Sequence, residues 1–191
     1  MIETIRRAVS DSLELKQSFF AANEERIAAV ARELCAALEV GRKVLLFGNG
    51  GSAADCQHIA AEWVGRFRRE RRPLAAIALT TDTSILTSVA NDYGYDQVFT
   101  RQVRALGQPG DLSIAISTSG NSPNVLSATE AASALGMVTV GLTGSDGGKL
   151  AGLVRHHLNV PHRSTARVQE IHIMVGHILC ELVDAHLKGL D

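Results

Sequence analysis

The stretch KVLLFGNGGSAADCQHIAAEW, residues 43–63, decides the fold. Val44, Leu45, Leu46 and Phe47 follow one another without a polar break, the run expected of a strand buried on both faces. Gly48, Asn49, Gly50, Gly51 and Ser52 then form a glycine turn, and residues 53–63 carry good helix formers. A buried strand that passes through a tight turn into a helix is the repeating unit of a parallel sheet.

Moving outward, the unit recurs. LAAIALTTD (74–82) leads into SILTSVAND (84–92), DLSIAISTSGNSPN (111–124) into VLSATEAASAL (125–135), and MVTVGLTGSDGG (137–148) into KLAGLV (149–154). HHLNV (156–160) reads as a last strand, followed by a polar loop and a long helix over about residues 165–187. Ahead of the first unit, apolar residues recur at helical spacing over residues 2–20 and again over 23–38, where Ile27, Val30, Leu34 and Leu38 form one stripe. Two amphipathic helices are expected there, with Gly41 ending the second. The whole predicts an α/β protein of one domain, residues 1–191: a three-layer α/β/α sandwich whose central parallel sheet is covered by helices on both faces.

Composition narrows the function. Among 191 residues, 19 Lys and Arg stand against 20 Asp and Glu, for a formal net charge of -1. That balance supplies no field for holding a polyanion, so a nucleic-acid partner is disfavoured. The start, MIETIRRAVSDSLEL, is interrupted by charges where a signal peptide needs an apolar run, and no later stretch reaches the roughly 18 apolar residues of a membrane span. A soluble, cytoplasmic protein without a membrane partner is expected. Cys35, Cys56 and Cys180 are odd in number and widely spaced, which suits reduced, buried thiols.

In a parallel α/β sheet, ligands bind beyond the carboxyl ends of the strands. The loop Gly48-Asn49-Gly50-Gly51-Ser52 allows close backbone approach, and Ser52 is expected to cap the helix that presents its amides to an anion. It lacks the Gly-Lys-Ser/Thr of a nucleotide P-loop. Gly48, Gly50 and Ala53 fit a loose dinucleotide pattern, but the first acid at a strand end, Asp82, lies 34 residues past Gly48 rather than about twenty. The loop Ser117-Thr118-Ser119-Gly120-Asn121-Ser122-Pro123 packs hydroxyls and free amides between a strand and a helix with Pro123 at its first position. Together the two loops predict a neutral phosphate cradle, suited to a small phosphorylated metabolite.

His58 and Glu62, four residues apart, share one face of the helix leaving the first loop and offer donors typical for zinc. The same spacing is also common on solvated helices. In the terminal helix, Gln169 and His177 stand among apolar residues; His177 is expected to be buried beside Met174, Ile178 and Leu179 and in need of a partner. Eight residues separate Gln169 from His177, about 12 Å of helical rise, so they meet at one small site only by reaching toward each other or through a neighbouring subunit. The run of Arg66, Arg68, Arg69, Glu70, Arg71 and Arg72 reads mostly as a solvated helix end, with Arg66 within reach of an anionic substrate.

Taken in order, GNGGSAADCQHIAAE, TTDTSILTSVANDYGYD, ISTSGNSPN, GLTGSDGG and RVQEIHIMVGHI resemble the phosphoheptose isomerases of the sugar isomerase (SIS) domain family, from the opening helices to the last one. The resemblance implies the flavodoxin-like SIS sandwich and a homotetramer with active sites at subunit contacts. It also implies conversion of sedoheptulose 7-phosphate to D-glycero-D-manno-heptose 7-phosphate, the first step toward bacterial heptose precursors for the lipopolysaccharide core or related glycans. By the same resemblance, Glu62 and His177 are the proton-transfer pair, and His58, Glu62, Gln169 and His177 hold one zinc ion per subunit. Asn49, Gly50, Gly51, Ser52, Glu62, Arg66, Asn91, Asp92, Ser117, Thr118, Ser119, Ser122 and Gln169 contact the sugar phosphate. Some relatives carry an acid where this chain has Ala166, which bears on hydrogen bonding around the sugar. The rival class is a non-catalytic SIS protein that binds sugar phosphates or a replication-initiator partner; the string HRSTARVQE resembles the family's relative that binds the bacterial replication initiator. That class needs no acid and base. An aminosugar-handling SIS enzyme would need an additional domain or lid.

Overall fold

The computed structural model describes residues 1–187; residues 188–191 lie outside the described residues. In chain order it contains α1 (Ile2–Glu39), β1 (Val44–Gly48), α2 (Gly51–Val64), β2 (Ala76–Ala78), α3 (Thr83–Tyr93), α4 (Val98–Leu106), β3 (Leu112–Ser117), α5 (Pro123–Ala134), β4 (Val138–Gly144), β5 (His156–Val160) and α6 (Thr165–His186). The strands form one parallel sheet in the order β2-β1-β3-β4-β5, the flavodoxin-like order. Register runs Val44 to Ala76 on one side of β1 and Val44 to Leu112 on the other.

Alternation along β1 explains the three layers. Val44 and Leu46 join the apolar cluster built with α1, α2 and α6, including Leu34, Trp63, Val175 and Val183. Leu45 and Phe47 point the other way, into a smaller cluster with Phe99 and Val103 of α4 and Val125 and Ala128 of α5. Both faces of the strand are buried, as its uninterrupted apolar run requires.

Three expectations are corrected. The two opening helices are one, α1, which runs unbroken through residues 20–23. Ala21 and Ala22 favour helix, and the polar Asn23 bonds back to its own helix, its amide donating to the Phe19 carbonyl at 2.9 Å. Residues 149–154, expected as a helix, form only a 3-10 turn at Lys149–Gly152, with Leu150 buried. A helix that the strand-helix pairing left out, α4, fills the layer between α3 and α5.

The three cysteines are free and buried. Burial pushes the thiols up, Cys35 to about 11 and Cys180 to about 12, with Cys56 higher still. Among the described residues, no helix is long and apolar enough to cross a membrane.

Candidate active site

The strand order reverses between β1 and β3, so the loops after these two strands part in opposite directions and leave a crevice. A cavity of about 300 Å³ opens there, lined by Asn49, Gly50, Gly51, Ser52, Ile116, Ser117, Thr118, Ser122, Thr165 and Gln169. Three helices begin at it: α2 with Gly51 and Ser52, α5 with Ser122 at its N-cap, and α6 with Thr165. Their free amides and positive dipole ends favour an anion, and among the described residues the lining has no charged side chain. Residues of the two loops thus line one cavity.

Its walls are held by short polar contacts. Ser117 Oγ lies 3.0 Å from Ser122 Oγ and 3.5 Å from Ser119 Oγ. Asn49 and Asn124 exchange side-chain hydrogen bonds, each at 2.9 Å. Gly50 sits at φ 57°, a left-handed conformation that favours glycine, and serves as the N-cap of α2. Ser52 is not the cap that was expected; it lies one residue inside the helix and is buried. At Gly51 a Cβ would strike the Gln169 side chain, so glycine here lets α2 and α6 close on each other.

From this crevice α2 and α6 run side by side in the same direction, Gly51 against Gln169 and then Gly176 against Ile59. Farther along them lies a second group. His58 Nε2 is 2.9 Å from His177 Nε2 and 3.5 Å from Glu62 Oε1. One ligand atom from each of His58, Glu62 and His177 lies within 4.8 Å of the others, so the three can hold a metal ion. Two imidazoles and a carboxylate converging from one side are a donor set that zinc accepts. The rings of His58 and His177 meet edge-on, 5.1 Å apart, and Phe67 stacks on His177 at 5.7 Å.

Residues 9–144 match the model of the SIS domain. The phosphoheptose isomerase of Aquifex aeolicus is 54% identical over 184 residues, covering 96% of each chain. The solved phosphoheptose isomerase of Neisseria gonorrhoeae is 46% identical with a TM-score of 0.90, and that of Francisella tularensis 39% identical with a TM-score of 0.93. Each alignment covers 96% of this chain and 98% of the other. The chain belongs to the SIS domain family, among its phosphoheptose isomerases.

Placed on this SIS fold, most of the expected residues fall into two sets. Asn49, Gly50, Gly51, Ser52, Ser117, Thr118, Ser122 and Gln169 line the crevice. Ser119 is exposed at its edge, accepting from the Asn121 amide at 3.2 Å. His58, Glu62 and His177 form the second group, some 12 Å along the helices from Gln169 by helical rise. Asn91 and Asp92 sit on α3, where the Asn91 amide donates to Asp92 Oδ1 at 2.8 Å, and Arg66 pairs with Glu70 at 3.0 Å. These three do not line the crevice within the described residues. Asp82, the acid weighed against a dinucleotide, caps α3, accepting from the Ile85 amide at 2.9 Å.

Other residues were missed or misplaced. Thr165 lines the crevice because α6 begins there, a position whose only cue was the Ser164 N-cap. The buried histidine of α6 is His172, not His177: its Nε2 lies 2.9 Å from the Thr143 carbonyl, and burial pushes its pKa down to about 4. His177 is half-buried. Asp55, one turn before His58, is pushed up to about 6 by burial, which the nearby His58 partly opposes. Arg71 is not solvated; its side chain is 6% exposed and pairs with the buried Asp184 at 2.7 Å.

Proposed function

We propose that the chain interconverts sedoheptulose 7-phosphate and D-glycero-D-manno-heptose 7-phosphate, supplying heptose for bacterial glycans such as the lipopolysaccharide core. The carrying observation is the pairing of an uncharged anion crevice with a separate His-Glu-His group on the same two helices. A seven-carbon sugar phosphate has its two functional ends far apart, and so has the site.

The phosphate takes the crevice, held by the hydroxyls of Ser52, Ser117, Thr118, Ser119 and Ser122 and by the amides opening α2 and α5. The open-chain sugar extends along α2 and α6, with Asn91, Asp92 and Arg66 as further contacts. Glu62 removes a proton from C1 of the ketose and His177 donates one to the C2 oxygen, giving an enediol. Return of a proton to C2 and loss of the C1 hydroxyl proton give the aldose. His58, Glu62 and His177, with Gln169 supplied by a neighbouring copy, would hold zinc, which when bound supplies polarisation of the carbonyl and stabilisation of enediolate charge. Gln169 belongs to both the substrate and the metal set; its place in the crevice supports the first.

A homotetramer in the cytoplasm completes the reading. Ile2, Ile5, Val9 and Leu13 leave an apolar row exposed along α1, and α3 buries none of its residues among those described, which supports coverage by further copies.

NMR of sedoheptulose 7-phosphate with the protein in D₂O tests the reading. Deuterium at C2 of an aldose product is expected. Binding of the sugar phosphate with no exchange would overturn the enzyme and favour a sensor.

A further inference from the structure

Two helices must keep one spacing if Glu62 of α2 is to work against His177 of α6, and Arg71 touches both. Its Nε donates to Asp184 Oδ1 of α6 at 2.7 Å. Its Nη2 donates to the Glu62 carbonyl at 2.9 Å and its Nη1 to the Trp63 carbonyl at 2.9 Å. The other oxygen of Asp184 accepts from the Arg68 amide at 3.0 Å. The side chains of Arg71 and Asp184 are 6% and 4% exposed.

The last carbonyls of a helix lack partners within it and carry partial negative charge. Arg71 satisfies them at the residue that bears the Glu62 carboxylate. Its anchor, Asp184, lies seven residues past His177, two turns along the same face of α6. Between the two anchors, Phe67 of the same segment stacks on the His177 ring. A buried ion pair contributes little net stability compared with apolar packing, whereas a five-donor planar fork fixes geometry that lysine cannot.

We propose that Arg71, held by Asp184, is a positioning residue that fixes the Glu62 carboxylate against His177. The proposal rests on the assignment of Glu62 and His177 as the proton-transfer pair. Removing one partner strands a buried charge, so the informative variant is Arg71→Met with Asp184→Leu, which removes both charges and keeps apolar volume. Arg71→Lys, which keeps the charge but loses the fork, and Glu62→Gln accompany it. Each is measured for melting temperature, kcat, KM and the visible absorption of the protein loaded with cobalt(II) alone.

The double variant is expected to stay folded and to melt several degrees below the parent, since the Glu62 carbonyl and the Arg68 amide lose their partners, with KM unchanged, kcat lowered roughly 10- to 100-fold and altered cobalt bands. Arg71→Lys is expected to show the same split. A folded double variant with the parent's kcat and cobalt spectrum would overturn the proposal. So would kcat losses that merely follow melting temperature across the variants while the spectrum stays constant. Turnover retained by Glu62→Gln would instead overturn the proton-transfer assignment, and the cobalt spectra would still report on whether Arg71 sets the geometry.

Discussion

Asn49 and Asn124 each donate Nδ2 to the other's Oδ1 at 2.9 Å, tying the loop after β1 to the first turn of α5 across the point where the strand order reverses. Asn124 is buried, and its loss leaves the Asn49 amide without its partner. Asn124→Ala should lower unfolding free energy by about 1–3 kcal/mol in a urea titration. Because the bond shapes the crevice and not the His-Glu-His group, KM for the sugar phosphate should rise while kcat changes less.

Gly51→Ala probes the neighbouring wall. A methyl group there meets the Gln169 side chain, a flexible amide that can yield only by leaving the position it takes in the crevice. The expected outcome is a folded protein whose KM rises roughly tenfold, about 1.4 kcal/mol of lost binding. A KM equal to the parent's would show that Gln169 yields without consequence for the substrate.

Much of this arrangement was legible in the sequence, for reasons that differ by residue. The apolar run at Val44, Leu45, Leu46 and Phe47 admits one reading, a strand buried twice, and the glycine turn after it places the crevice. The serine loop was legible because four hydroxyls between a strand and a helix exceed what capping needs. The break expected between residues 20 and 23 is absent, because Ala21 and Ala22 favour helix and the Asn23 amide finds its partner in the same helix. The arginine run misled for the same kind of reason: Asp184, 113 residues away, turns Arg71 from a solvent-facing charge into a buried one. His172 and His177 could be told apart only by what packs on each face of α6, and the Thr143 carbonyl that satisfies His172 comes from β4. Asn91 and Asp92 were drawn from resemblance, and no local pattern points them at the crevice; Arg66, read from its spacing to His58 as well, pairs with Glu70 instead.

The buried His172 makes stability depend on pH with a definite sign. Its folded pKa of about 4 lies below the ordinary 6.5, so between those values the unfolded chain binds a proton that the folded protein refuses. Stability from this residue is complete above pH 6.5 and is lost as pH falls toward 4. Relative to a His172→Gln variant, the parent should lose roughly 2 kcal/mol more between pH 7.5 and pH 5. Asp55 acts with the opposite sign, its raised pKa favouring the folded state at lower pH, but it is common to both proteins and cancels in the difference. Denaturant titrations of both proteins at the two pH values measure it. Parallel losses would mean that His172 accepts a proton in place.

The exposed apolar row of α1 predicts assembly. Light scattering should return a tetramer's mass for the parent, and charges placed on the row, as in Ile5→Glu with Val9→Glu, should yield smaller species. A monomeric parent would leave that row without the cover proposed for it.

Glu62→Gln separates the proton transfer proposed for Glu62 from the phosphate holding proposed for the crevice. The amide keeps the shape of the side chain and cannot act as a base. Turnover of sedoheptulose 7-phosphate and its affinity, measured by NMR exchange in D₂O and by calorimetry on the same preparation, give the answer. The variant is expected to lose both turnover and deuterium incorporation and to keep sugar-phosphate binding largely intact; substantial isomerisation by it would sink the assignment of Glu62.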